Sequence, residues 1–478
     1  MTKQNMSKLV LQSGFSFDYS HMLGEGRLQT ADLTALLPQM KAAALAVKEM
    51  SKTGLKAGHL SKDGTPEPVY FPRLPYPQAG YPNSPESLSK LTAYGKKVRA
   101  EADAVIFCGI GGSYLGGKVL ADCVQGQFWE KAGEKIPRIY FSGNSMDAEA
   151  TEQLWQELQT LAKLAKTHGK RKFTVELIPI SKSGTTLEPT SAFLFFYDRL
   201  TKAGDLFALQ VAVVTDEHKV GPLNKLAQKY SWPLFDVPDG IGGRFSVLSN
   251  PGLVVAAVVG MDIEALLQGA RDMDKSCQQA EPRENPALVN AALKYLADSK
   301  FGCAIEVLMP YAFNLKSLGE WYVQLLAESL GKRNNLAGEK VFYGRTPIVA
   351  IGSTDMHAQT QQHQDGRRNK VIQFLEIGGR EKKVLLTNPF PEIEAFKKFE
   401  GMDLNSALLN ALNANEEALN SDNRFSARYF LPKLNAYYLG QIFYFLMLSI
   451  AYEGELAGID AYDQPGVEIY KKIMNKNL

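Results

Sequence analysis

From about residue 100 the chain alternates between short β-branched apolar runs and longer stretches with helical spacing. Candidate strands fall at 104–108, 138–142, 175–180, 209–214, 303–308 and 346–351, most of them followed by a helix-like segment. That alternation predicts an α/β fold of parallel sheets covered by helices. Upstream, Leu33, Leu36, Leu37, Met40, Ala44 and Val47 recur at helical spacing and predict an amphipathic helix over 32–51. Seven prolines between Pro66 and Pro85 mark an extended, helix-poor connector. Between 240 and 290 the strand pattern lapses into glycine-rich turns and helices, then resumes near 303, and helices are expected after about 403. The expected organisation is a helical segment over 1–55, one α/β domain over 56–240, a second over 241–430, and C-terminal helices over 431–478.

One run imitates a membrane span, because Ala436 to Tyr452 carries no charge. Its 17 residues include Gly440, Gln441 and Ser449, and a bilayer crossing needs about 20 apolar residues. A buried core helix is expected instead. Charge narrows the partners further. Lys and Arg total 53 against 51 Asp and Glu, without a long like-charge run, so neither nucleic acid nor an anionic membrane is expected as the main partner. The cysteines Cys108, Cys123, Cys277 and Cys303 show no CxxC spacing. Together with an N-terminal run that leads into no signal-peptide core, this points to a reducing, cytoplasmic setting.

Two turns carry the candidate chemistry. Gly109-Ile110-Gly111-Gly112-Ser113 follows the apolar run 104–107, and Ser181-Lys182-Ser183-Gly184-Thr185-Thr186 follows the run 175–180. A strand ending in a glycine- or hydroxyl-rich turn, with a helix behind it, aims backbone N–H groups at an anion. The second turn supplies four hydroxyls in six residues, which suits the oxygens of one terminal phosphate. A small phosphorylated substrate follows. A dinucleotide fingerprint fails, since Tyr114 follows Ser113 where the spacing leads to a third glycine, and no Walker lysine follows a glycine turn.

Three further places stand out. In Gly242-Gly243-Arg244-Phe245-Ser246 an arginine follows two glycines; on a mobile turn its guanidinium can enter a cleft, and a solvated surface arginine is the plainer alternative. In the helix-like segment 315–331, Leu318, Trp321, Tyr322, Leu325 and Leu326 mark one face. Glu328 lies on that apolar side and Glu320 on the polar one. A carboxylate there needs a partner or a purpose, and a proton-abstracting base is one such purpose; a structural salt bridge is the other. His357 follows the apolar strand over 347–351, and the end of a strand is where α/β proteins bind ligands. His21, His59, His168 and His218 read as bystanders, and His363 stays unassigned. No HExxH or clustered ligand spacing appears, so no metal is expected.

Taken together, FCGIGGSYLGG, SKSGTTLEP, GGRFSVLS, LLAESLGK, GSTDMHAQ and DQPGVEIYKK resemble the blocks of the glucose-6-phosphate isomerase (phosphoglucose isomerase) family, bacterial type, in that family's order over roughly residues 100–475. The resemblance implies two sugar-isomerase (SIS) domains, each a parallel sheet flanked by helices, with a C-terminal helical arm. It implies a cytoplasmic homodimer without metal or cofactor that interconverts glucose 6-phosphate and fructose 6-phosphate in glycolysis and gluconeogenesis. By the same resemblance Gly112, Ser113, Ser181, Lys182, Ser183 and Thr186 bind the substrate phosphate. Arg244, Glu328, His357, Gln464 and Lys471 line the reacting sugar, with His357 supplied by the neighbouring subunit. Spacing from Asp463-Gln464 selects Lys471 over the adjacent Lys472. A SIS-type sugar-phosphate sensor that binds without turnover is the alternative from another class, and a nicotinamide-dependent dehydrogenase is a more distant one.

Overall fold

The computed structural model describes residues 7–126, 136–169, 171–218 and 221–476. The chain forms two compact units. One is Glu67–Leu267, and the other joins Met1–Pro66 to Gln268–Leu478. Sequence reading set its boundaries at 55/56, 240/241 and 430/431; the first 66 residues fold with the C-terminal half.

In the unit Glu67–Leu267 the central sheet has four parallel strands in the order Arg138–Ser142, Ala104–Cys108, Phe173–Pro179, Phe207–Val211. Every residue of Ala104–Cys108 and Phe173–Pro179 is buried. That is the near-continuous apolar reading of strands covered on both faces. On one side, Trp155 and Leu158 of helix Ala148–Thr167 and Phe193 and Phe196 of helix Leu187–Lys202 pack on Ile106, Val175 and Leu177. Helix Leu115–Gln125 packs against the wholly buried helix Asn250–Val259.

The larger unit carries a six-stranded sheet, ordered Lys8–Val10, Ser16–Asp18, Phe425–Lys433, Lys370–Gly379, Ile305–Pro310, Thr346–Val349. The last four strands in this order are mutually parallel, and the N-terminal hairpin adds antiparallel to their edge through Ser16–Asp18. Helix Ala436–Leu456 is buried continuously from Leu439 to Gly454, a core helix as its composition predicts. Among the described residues no helix is long and apolar enough to cross a membrane.

Four strands of this sheet are not among the candidates: the short Lys8–Val10 and Ser16–Asp18, in a segment expected to be helical, and the long Lys370–Gly379 and Phe425–Lys433, the last of which interrupts the helices expected after 403. The two long strands are the instructive ones. Each carries a charge that breaks its apolar run. Arg428 Nη1 sits 2.9 Å from Glu376 Oε2 and also pairs with Glu416, so charges that read as surface are neutralised at the sheet. The N-terminal residues also do more than their sequence suggests. Lys56 pairs with Glu455 at 2.9 Å, His59 Nδ1 lies 2.8 Å from Asp460, and Lys62 reaches Glu468 at 3.1 Å. The strand Leu55–Leu60 and the turn after it thereby hold the C-terminal segment in place.

Candidate active site

Both predicted turns leave the C-terminal ends of neighbouring parallel strands, since Ala104–Cys108 pairs with Phe173–Pro179. This is the ligand-binding end of an open α/β sheet. The first turn closes as a 3-10 turn, Gly111–Ser113. It packs directly on the second glycine motif, because a Cβ on Gly112 would lie 2.0 Å from the Gly243 carbonyl oxygen. Only glycine allows that approach. Ser246 Oγ fastens the junction by donating to the carbonyls of Gly243 (2.7 Å) and Gly112 (3.2 Å). Arg244 is therefore no surface residue on a mobile turn. It lies in the 3-10 turn Gly243–Leu248 and is only 1% exposed, with its guanidinium carbon 5.6 Å from the Phe245 ring centroid.

The 181–186 turn is organised by its own hydroxyls. Ser181 Oγ accepts from the Gly184 N–H (3.1 Å) and lies 3.2 Å from Thr186 Oγ1. Ser183 Oγ accepts from the N–H and hydroxyl of Thr185 at 3.2 and 3.1 Å. Gly184 takes a φ of +69°, which turns the backbone sharply. From below, Thr215 Oγ1 donates to the Lys182 carbonyl (3.2 Å). Thr186 then stands at the N-cap of helix Leu187–Lys202 without a side-chain capping bond. No side chain therefore caps the first N–H groups of that helix, those of Leu187 and Glu188 before Pro189, which begins beside exposed Ser183 and Thr185; an uncapped helix start is an arrangement that receives an anion. The Lys182 ammonium pairs with Asp239 at 2.7 Å, which leaves its backbone as the part of Lys182 available to a ligand.

The other predicted residues belong to the larger unit. Helix Lys316–Leu330 lies tightly on strand Thr346–Val349, where a Cβ on Gly319 would meet Val349 Cγ1 at 2.6 Å. In its last turn Glu328 is half-buried, and Gln324 Nε2 donates to its Oε1 at 3.2 Å. The helix end is closed by a residue that sequence reading passed over. Lys332, 6% exposed, donates to the carbonyls of Glu328 (2.6 Å), Ser329 (2.9 Å) and Asp463 (3.0 Å). A cation on the last carbonyls satisfies the helix terminus, and here it also ties the residue before Gln464 to the Glu328 backbone. A lysine four residues after a candidate base, just past the helix-ending glycine, was the available signal.

His357 is exposed at the end of the 3-10 turn Thr354–Met356, which follows strand Thr346–Val349. Gln464 is exposed at the start of helix Pro465–Lys476. On that helix Lys471 is half-buried and 3.6 Å from Glu468, whereas Lys472 is exposed, so the two adjacent lysines are structurally distinct. Among the described residues one group could gather a metal, Glu217, His218 and Asp236, and it lies mostly at the surface.

Comparison with known proteins adds a family. A phosphoglucose isomerase family model matches residues 90–478. A protein of Carboxydothermus hydrogenoformans named glucose-6-phosphate isomerase is 33% identical over 469 residues, covering 97% of this chain and 94% of its own. One of the same name from Rubrobacter xylanophilus is 33% identical, with 96% of each chain covered. Among solved structures, a hypothetical protein of Thermus thermophilus aligns with a TM-score of 0.79 at 27% identity, over 97% of this chain and 99% of its own. A glucose-6-phosphate isomerase of Chlamydia trachomatis shares the fold with a TM-score of 0.77 at 22% identity, over 98% and 89%.

Proposed function

The chain belongs to the phosphoglucose isomerase family, and from that membership we infer the work of each residue described above. It is a glucose-6-phosphate isomerase, catalysing the reversible aldose–ketose conversion of glucose 6-phosphate and fructose 6-phosphate. Ser113, Ser181, Ser183, Thr186 and the Lys182 backbone, beside Gly112, hold the phosphate. The uncapped helix start behind Thr186 supports this, because a phosphate needs donors and a helix end supplies them without a competing cap.

His357 and Lys471 move protons to the ring oxygen and from the anomeric hydroxyl, which opens the sugar. Glu328 then takes the proton from C2 and returns it to C1 through a cis-enediol, and Gln464 orients the sugar. Charge that grows on the enediol oxygens is met by Arg244. A guanidinium keeps its charge throughout and does not compete for the proton. Burial of Arg244 strengthens the effect, since a fixed charge acts more strongly away from water.

The observation that carries this reading is the placement of Glu328: a carboxylate on a half-buried helix end, steadied through Gln324 and by Lys332 behind its backbone. Purified protein in a coupled assay, offered glucose, fructose and mannose 6-phosphates side by side, tests it. Turnover of the first two is expected, and it should persist in excess EDTA. Tight binding without turnover would make the protein a sensor instead.

The enzyme works as a cytoplasmic homodimer in which His357 reaches the partner's substrate. Exposure of His357 on its own chain supports this. Refolding Glu328→Gln together with His357→Ala should restore about a quarter of wild-type activity, because random pairing makes about half the dimers mixed, each with one intact site. Activity no higher than the parents, in a sample containing hybrids, would place both residues in one chain's site.

A further inference from the structure

At the N-terminal ends of the parallel strands in the larger unit lies a cavity of about 160 Å³. Lys370 opens strand Lys370–Gly379 and Phe425 opens Phe425–Lys433; both line it. His357 follows the C-terminal end of a strand in the same sheet, so the cavity sits at the opposite end from the site residue. Its polar lining is almost wholly basic: His363, Arg367, Arg368, Lys370 and Arg424.

The charge there is only partly compensated. Asp422 pairs with Arg368 (2.6 Å) and with Arg424 (2.8 Å). Lys370, 8% exposed, donates to the Arg367 carbonyl (2.9 Å) and to the Asn369 side-chain oxygen (3.0 Å). Among the described residues neither Lys370 nor Arg367 pairs with a carboxylate. Burial, with Arg424 and Arg367 nearby, pulls the Lys370 ammonium below its ordinary range.

The cavity wall also holds a buried histidine. His363 is 5% exposed, and its Nδ1 is buried without a hydrogen-bond partner. Burial and the neighbouring Lys370 bring its imidazole down to about 4, with Asp355 opposing, so near neutral pH the ring is uncharged and one of its nitrogens carries a proton. A buried polar atom left unpaired is costly. The cavity greatly exceeds the roughly 10–15 Å³ that one water requires. Phe301 and Phe425, edge to face at 5.2 Å, form an apolar wall that keeps water from one side and sharpens the field of the cations.

We propose that this cavity binds a small, multiply charged anion of the phosphate class. Arg367, Arg368, Lys370 and Arg424 surround the anion, and the uncharged His363 ring forms part of the cavity wall. Arginine forks suit phosphate oxygens in pairs. The site is separate from the 181–186 turn, and the inference does not rest on the catalytic roles assigned above.

The test is calorimetric titration of the full chain with inorganic pyrophosphate. It uses a Ser183→Ala, Thr186→Ala background, so that the substrate turn contributes little heat. One pyrophosphate per chain should still bind. Adding Arg367→Glu and Arg368→Glu, both exposed, should weaken it at least about tenfold, as reversal of charge in a focused basic site does, with circular dichroism checking that the fold survives loss of the Arg368–Asp422 pair. His363→Leu should weaken it as well, with unfolding followed by circular dichroism. Absence of binding in the background variant, or affinity unchanged by the two charge reversals, would overturn the proposal.

Discussion

Each unit buries a glutamate within a parallel strand, and the two sequences look alike: Val175-Glu176-Leu177 in one, Ile305-Glu306-Val307 in the other. Glu176 is 2% exposed and Glu306 is 0% exposed. Their surroundings differ. The direct partner of Glu176 is the neutral Tyr94 hydroxyl, which donates at 2.8 Å. Burial therefore prevails and pushes its carboxyl up to about 7, although Tyr94 and the charge of Lys97 oppose. Glu306 meets Lys294, Arg345 and the Tyr322 hydroxyl (2.7 Å). Burial opposes its charge as well, but the two cations outweigh it and hold the carboxyl below its ordinary range. Arg345 extends the network to Glu453, with Nη2 2.7 Å from Oε2. Two buried anions balance two buried cations. Burial alone does not decide whether a carboxylate is charged; the partners do.

The contrast bears on function, because Tyr322 lies on the Glu328 helix. The charged network anchors that helix from within the unit, whereas Glu176 lies in the sheet from which the 109–113 and 181–186 turns leave. Breaking the network should have the largest effect. Glu306→Gln leaves Lys294 and Arg345 with Glu453 alone, and loss of one partner from a buried ion network costs about 3–5 kcal/mol. Urea unfolding should show this, and replacing Lys294 and Glu306 together with methionine should cost much less. Equal losses in the two variants would mean that the ion pairing is incidental.

The Glu176 side of the comparison predicts a smaller effect of opposite sense. Its proton is held more tightly in the folded chain, so its stabilising contribution is complete below the unfolded value near 4.5 and is lost as pH rises through about 7. Glu176→Gln should remove that loss and gain on the order of 3 kcal/mol relative to wild type between pH 4 and pH 8. Parallel pH–stability curves for the two proteins would show that Glu176 stays charged in the fold.

Neither network was legible in the sequence. Arg345 stands 39 residues from Glu306 and 108 from Glu453, and no local pattern announces such a partnership. The same limit hid strand Phe425–Lys433, whose Arg428 is admitted to the sheet by Glu376 and Glu416. Unbroken apolar runs were legible instead, as in strand Ala104–Cys108 and helix Ala436–Leu456. Helical spacing set Glu328 on the apolar side and Glu320 on the polar one, yet both are half-buried, so spacing alone did not separate them. For Lys332 the local half of its role, closing the helix over Glu328 and Ser329, was readable from its spacing, whereas its bond to a carbonyl 131 residues away was not.

The smallest predicted effect concerns the phosphate turn. Ser183→Ala with Thr186→Ala removes two hydroxyls, each worth roughly 0.5–1.5 kcal/mol and more toward a charged group. A phosphorylated inhibitor should bind correspondingly more weakly while thermal stability holds. Unchanged affinity would place the phosphate elsewhere.

The central claim is a division of labour, with binding in the phosphate turns and proton transfer at Glu328. Deuterium incorporation at C2 of glucose 6-phosphate in D₂O, followed by NMR, tests it most directly. Glu328→Gln should slow incorporation by about 10² to 10⁴, the usual loss for a positioned base, while substrate affinity is retained. Incorporation at the wild-type rate in the glutamine variant would show that another group takes the proton.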